Sequence, residues 1–342
     1  INVAQGTFND SSGNGNLASN TSGISIDTLA PSISITSDKS ALKINQFATI
    51  TFTLSENSND FDVTDIQAIG GNLSGFSGTG NSYSVIFTPP MGSNTTGEIS
   101  IPFGAFTDSA GNSNLPSTTL FIPVGTTAPT VTISSNKSAL KAGETANIQF
   151  VLSEISTDFD AFDVTLTGGT LGGFSGSGTN YQAVFTPANN STNSGSISVA
   201  SGTFTNSSSN FNLTSNIISF AIDTTIPTIS ISSSKNSLKI GETANISFIL
   251  SEPSTDFTAG DVSVSGGTLS GFSGSGASYS ATFTPTPNSN SNASFDVSSA
   301  TFSDAAGNNN IAALQLSLSV DTIAPTISIS SSKNSLKIGE TA

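Results

Sequence analysis

Across 342 residues only 9% are charged, the net charge is −15, and His, Cys, Arg and Trp do not occur. That composition removes imidazole bases, thiolate nucleophiles and guanidinium clamps from the catalytic repertoire, and the acidic balance opposes binding to nucleic acid or to an anionic membrane surface. No apolar run approaches the roughly 20 residues of a membrane helix, and no disulfide braces the fold.

The chain repeats itself. Pro31, Pro129, Pro227 and Pro325 are spaced 98 residues apart, and Tyr83, Tyr181 and Tyr279 keep the same step. So do Phe8, Phe106, Phe204 and Phe302. A period this long, held without an insertion, marks tandem copies of one domain. Residues 1–26 match the end of a module, because INVAQGTFND aligns with ISIPFGAFTD at 99–108. Complete modules follow at 27–124, 125–222 and 223–320, and 321–342 matches the beginning of another. The simplest expectation is an excerpt from a longer array.

The third module serves to read the elements in order. A strand is predicted over 228–232, with apolar residues alternating behind Pro227. The polar segment SSKNSLKIGE turns the chain and carries Lys235 and Lys239. The strand at 244–252 places Ala244, Ile246, Phe248 and Leu250 on one side. After the PSTDF loop, 261–265 reads as a strand with Val262 and Val264 inward, ending at Gly266-Gly267. A glycine-rich strand around Leu269 and Phe272 precedes another at 278–285, which aligns Tyr279, Ala281 and Phe283. An Asn/Ser loop leads to a strand with Phe295, Val297 and Phe302, then to a turn at 304–308. The closing strand carries Leu314, Leu316, Leu318 and Val320. Seven short strands with polar turns and no helix indicate an all-β fold: tandem immunoglobulin-like β-sandwich modules of 98 residues arranged end to end.

In such a sandwich the strand directions bring three separate segments to one pole. They are the linker Asp223, the loop with Glu252 and Asp256, and the turn from Asp304 to Asn308. The first module offers Asp27, Glu56, Asp60, Asp108 and Asn112 in the same places. Converging carboxylates repel one another unless a cation sits between them, and calcium suits oxygen-only ligands on loops. The turn at the opposite pole holds a lysine pair and, in later copies, Glu144, Glu242 and Glu340. Each junction is thus expected to set a Lys/Glu turn against an acidic cluster, with Glu144 joining the Asp223 set.

Plainer readings apply elsewhere. Asp-x-x-Gly-Asn is by itself a common β-turn. Gly266-Gly267 is a bend rather than a phosphate cradle, since no helix follows. Phe272 and Tyr279 read as packing residues rather than a sugar platform, and sequons such as Asn94 and Asn245 are expected by chance in a chain this rich in Asn and Ser.

The text DTxxPTxxISSxKxxLKxGETAxIxFxLSEPSTDF, with GGTLSGFSGSGxxYxAxFTP and FxDAAGN, resembles the tandem bacterial Ig-like domains of very large surface proteins, including repeats-in-toxin adhesins and biofilm-associated proteins. The resemblance implies an extracellular extender array at the bacterial cell surface, often rigidified by calcium between domains. Its partners would be neighbouring modules of the same chain and, in a fibre, other chains. Nucleic acid and membrane insertion are not expected. An enzyme is not expected either, because the carboxylates recur in every module as a unique active site would not. The alternative is that each module binds a ligand such as carbohydrate.

The copies disagree at one place. Where the others have Asp27 and Asp223, the second module has Gly125. Asn206 replaces Asp108 and Asp304, Ser209 replaces the turn glycine, and Gln46 stands where Glu144 and Glu242 appear. Only Glu154 and Asp158 remain of the set. The expectation is an ion at the Asp223 junction, none or a weak one at Gly125, and a more flexible hinge there.

Overall fold

The computed structural model describes residues 1–341, which fall into two compact units. The first unit contains Ile1–Val131, Leu152–Phe159 and Ala200–Thr214, which is the first repeat together with loops from one pole of the second. The other unit contains the rest of the second repeat and the third.

In the first repeat, β1 (Ile33–Ser37) pairs antiparallel with β3 (Ala48–Ser58), setting Ile35 opposite Phe52. The short β2 (Leu42–Lys43) lies between them in sequence. The alternation read from the sequence decides which face of β3 is buried: Ala48, Ile50, Phe52 and Leu54 point inward. On the other edge of β3 runs β5 (Asn72–Thr88), with Phe52 opposite Tyr83. The equivalents of the two strands predicted around Phe272 and at 278–285 are one continuous element, which folds back on itself. Gly78 makes the fold possible. Its φ is +134°, and a Cβ there would sit 2.3 Å from the Ser82 carbonyl. Beyond the bend, the hydroxyls of Ser77 and Ser84 meet at 3.2 Å. The third repeat does the same over Gly267–Pro285, with Gly274 at φ +134° and Ser270 Oγ donating to the Thr282 carbonyl at 3.4 Å.

The facing sheet joins β4 (Gln67–Ile69), β6 (Gly97–Ser100) and β7 (Leu120–Ile122), with Ala68, Ile99 and Leu120 in one row. Beside it β2 pairs in parallel with β8 (Val124–Gly125). The break between β7 and β8 has a simple cause. Pro123 has no N–H, whereas its counterparts Ala221 and Ser319 donate to Ser138 O at 2.9 Å and Asn236 O at 3.3 Å. There the closing strand runs unbroken, as Ile218–Asp223 and Leu316–Asp321.

The two sheets close on a single core in the first and third repeats, with Phe248, Phe257, Tyr279, Phe283, Phe295 and Phe302 at its centre in the third. The buried phenols are satisfied: Tyr83 and Tyr279 each donate to a carbonyl, Ser58 O and Ser254 O, both at 2.9 Å. This is an immunoglobulin-like sandwich of two mainly antiparallel sheets, with one short parallel pair in each repeat.

Some local details differ from the sequence reading. Leu314 is 91% exposed, because it precedes the ladder that begins at Leu316. Phe302 is buried but lies in the turn after the strand Ala293–Val297. Asp261 belongs to a 3-10 turn, Ala259–Asp261, where its carboxylate accepts from Thr258 N at 2.7 Å. The strand therefore starts one residue later, at Val262. Residues 1–26 form their terminal turn, yet Phe8 is 64% exposed where Phe106, Phe204 and Phe302 are buried.

Candidate functional site

The turn following the core Phe is organised around its own aspartate. Asp108 Oδ1 accepts from the backbone N–H of Ala110 and of Asn112, each at 2.9 Å, and Gly111 takes φ +88° to close the loop. Asn112 then uses its amide as a clip, donating to Asp108 Oδ2 at 2.9 Å and to the Asp27 carbonyl at 3.3 Å. That clip draws the linker onto the turn, beside the end of β3. One oxygen each of Asp27, Glu56 and Asp108 lie within 4.8 Å of one another, and Asp223, Glu252 and Asp304 repeat the arrangement.

The electrostatics follow from this crowding. Desolvation, then the charges of Asp27 and Asp108, push the Glu56 carboxyl above its ordinary range. Desolvation, Asp223 and Asp304 do the same to Glu252. The Asn112 amide holds Asp108 low. Among the described residues Glu56 Oε1 is buried without a hydrogen-bond partner, a costly state for a carboxylate oxygen. Three converging carboxylates with one orphaned oxygen form the all-oxygen donor set that fits a hard divalent cation such as calcium.

Not every predicted ligand joins. Asp60 and Asp256 stand outside the clusters, because their oxygens are taken. Asp60 accepts from Thr107 N at 3.0 Å, Thr107 Oγ at 2.7 Å and Ser58 Oγ at 2.7 Å. Glu144 lines a cleft of about 430 Å³ with Asp223, but pairs with Lys137 at 3.0 Å and accepts from Lys141 N at 3.3 Å. Within the Lys/Glu turn Lys137 thus neutralises Glu144. A backbone N–H and the Lys141 ammonium make the contact between modules. Ala142 N donates to Asn308 Oδ1 and Lys141 Nζ to the Gly307 carbonyl, both at 2.7 Å. Asn308, predicted as a ligand, is fully engaged: its amide also donates to Asp223 O at 3.0 Å and to Asp304 Oδ2 at 2.9 Å. Of the lysine pair read at this pole, Lys141 is the member that reaches the neighbouring module.

Segments 27–122, 125–222 and 223–320 each match the bacterial Ig-like domain family. The chain belongs to that family. No curated protein sequence matches it. Among solved structures, the Escherichia coli adhesin FdeC is similar at 14% identity, over 88% of this chain and 100% of that one, with a TM-score of 0.35. Invasin, described as a bacterial integrin-binding protein, is similar at 12% identity over 86% of this chain and 60% of its own, with a TM-score of 0.34. An I-band fragment of titin is similar at 9% identity over 87% of this chain and 100% of its own, with a TM-score of 0.39. The family assignment rests on the three matched segments alone.

The carboxylates outside the clusters tie each Ig-like module together. Burial raises the Asp256 carboxyl, but hydrogen bonds from Ser254 and Ser303 outweigh it and hold the group below its ordinary range. Asp60 and Asp158 are held low in the same way by Thr107 and Thr205. A depressed native pKa stabilises the fold above the unfolded value near 3.9, and that contribution is lost as pH falls through the native value. Asp256→Ala is expected to cost about 1 kcal/mol at pH 7, since the group is exposed and screened. The cost should shrink as pH falls through the native value. Urea melts at pH 7 and at progressively more acid pH check this, and an equal loss throughout would show that the bonds contribute nothing through charge.

Proposed function

We propose that this segment is a mechanical spacer in a large bacterial surface or secreted adhesin or filament, serving adhesion, biofilm or extracellular fibre formation. The observation that carries the reading is the direct hand-over from one module to the next. Ala142 N and Lys141 Nζ meet the turn of the third module, and Ile44 N meets the equivalent turn of the second through Asn210 Oδ1 at 2.9 Å. A spacer needs such couplings at a fixed period, and it needs no unique pocket. Carbohydrate binding by each module finds less support. Phe272 and Tyr279 stack at 5.7 Å, and Tyr279 is buried with its hydroxyl committed to Ser254 O. Among the described residues no helix is long and apolar enough to cross a membrane.

Within this reading, Asp223, Glu252 and Asp304, and likewise Asp27, Glu56 and Asp108, would hold calcium. The ion would cancel the mutual repulsion of the carboxylates and fasten the linker to the turn and to the end of the long strand. Single-molecule pulling tests the mechanical role. Three similar unfolding events are expected, each releasing on the order of 300 Å of contour length. One event, or unfolding without measurable resistance, would reject a load-bearing spacer.

A further inference from the structure

The pole of the second module does not fit an ion, and its residues show what stands there instead. Asn206 occupies the place of Asp108 and Asp304. Its Oδ1 organises the turn as the aspartate would, accepting from Ser208 N at 3.1 Å and Asn210 N at 2.9 Å. Its Nδ2 donates to Glu154 Oε2 and to the Thr127 carbonyl at 3.0 Å. The glutamate that faces two carboxylates elsewhere here faces an amide donor.

The linker position is closed as well. A Cβ on Gly125 would come within 2.2 Å of Ser208 Oγ, so the serine fills the volume an aspartate side chain needs. In the third module that neighbour is Ala306, and Asp223 is accommodated. Gly125 is also no loose link: it pairs with Lys43 in the parallel β2–β8 ladder. Asn210 completes the contact, donating to Gly125 O at 2.8 Å and Thr127 O at 3.2 Å while accepting from Ile44 N.

We propose that the joint between the first and second modules is cation-independent, with the Asn206 amide doing by hydrogen bonding what an ion would do between carboxylates. The array therefore alternates in kind: a joint that holds at any calcium level is followed by one that responds to calcium. Only that contrast rests on the reading of the acidic poles as cation sites; the amide joint stands on its own contacts.

Hydrogen exchange of the full chain, followed by mass spectrometry of segments 204–212 and 302–310, tests this with calcium or chelator as the only addition. Exchange in 204–212 is expected to change less than twofold between the two conditions, while 302–310 slows at least tenfold in calcium. In chelator, Asn206→Ala should speed exchange in 204–212 and at Ile44 at least tenfold, with the 148–152 strand of the same module as the control for folding. Asn206→Asp supplies a second variant that keeps the turn acceptor and turns the donor into a second negative oxygen facing Glu154. Its 204–212 segment should also exchange faster in chelator. A calcium response of wild-type 204–212 matching that of 302–310 would overturn the proposal. So would unchanged exchange in both variants. If 302–310 ignores calcium while the Asn206 results hold, the cation reading fails and the amide joint stands.

Discussion

Replacing Phe248 by alanine is expected to cost about 3–5 kcal/mol, because the ring is fully buried and its removal leaves a cavity that the surrounding rings cannot fill. Phe257 meets it edge-on at 5.8 Å and Phe272 lies 6.0 Å away, while Tyr279 faces it across the strand pair. Those rings are fixed in turn: Phe257 packs at 5.1 Å on both Tyr279 and Phe302. Collapse into the gap would have to break that cluster. Chemical denaturation of the wild type and the variant checks the figure. A loss below about 1 kcal/mol would mean that the strand carries its side chains in another register.

Calcium is expected to stabilise the third module by about 2.7 kcal/mol when the free ion is about a hundred times its dissociation constant. The effect should depend on Glu252 and Asp304 together with Asp223. The sign of the pH dependence follows from the raised Glu252 carboxyl. A group whose native pKa is raised favours the fold when protonated, so in chelator the module should lose stability as pH climbs through that value. Bound calcium should remove this loss, because the ion favours the ionised form. Asp304→Asn is expected to abolish most of the calcium effect and to be tolerated in chelator, as Asn206 is in the second module. Thermal melts of wild type and variant with calcium and with chelator decide it. Equal calcium shifts in both would show that the ion binds elsewhere.

How much of this was legible in the sequence depends on whether the signal is periodic. The alternation of Ala244, Ile246, Phe248 and Leu250 is a one-dimensional pattern, and burial follows it directly. The meeting of Asp223, Glu252 and Asp304 was also legible, because strand direction in a sandwich places the loops. Three things were not. The hairpin within Gly267–Pro285 depends on Gly274 at positive φ, and a glycine in a text full of glycines carries little information about its dihedral. The partners of Asp256 were hidden, since a carboxylate that bonds Ser303, 47 residues on, looks in sequence like any other acid in a loop. The self-neutralising Lys137–Glu144 pair was likewise a matter of side-chain reach rather than of composition.

Titration calorimetry of calcium into the full chain tests the central claim most directly, because the acidic poles fix a stoichiometry. Two carboxylate clusters are present among the described residues, and the second module has none. Two ions per chain are therefore expected, falling to one in an Asp223→Asn, Asp304→Asn double variant. No heat of binding up to millimolar calcium, or a stoichiometry that the double variant leaves unchanged, would contradict the account.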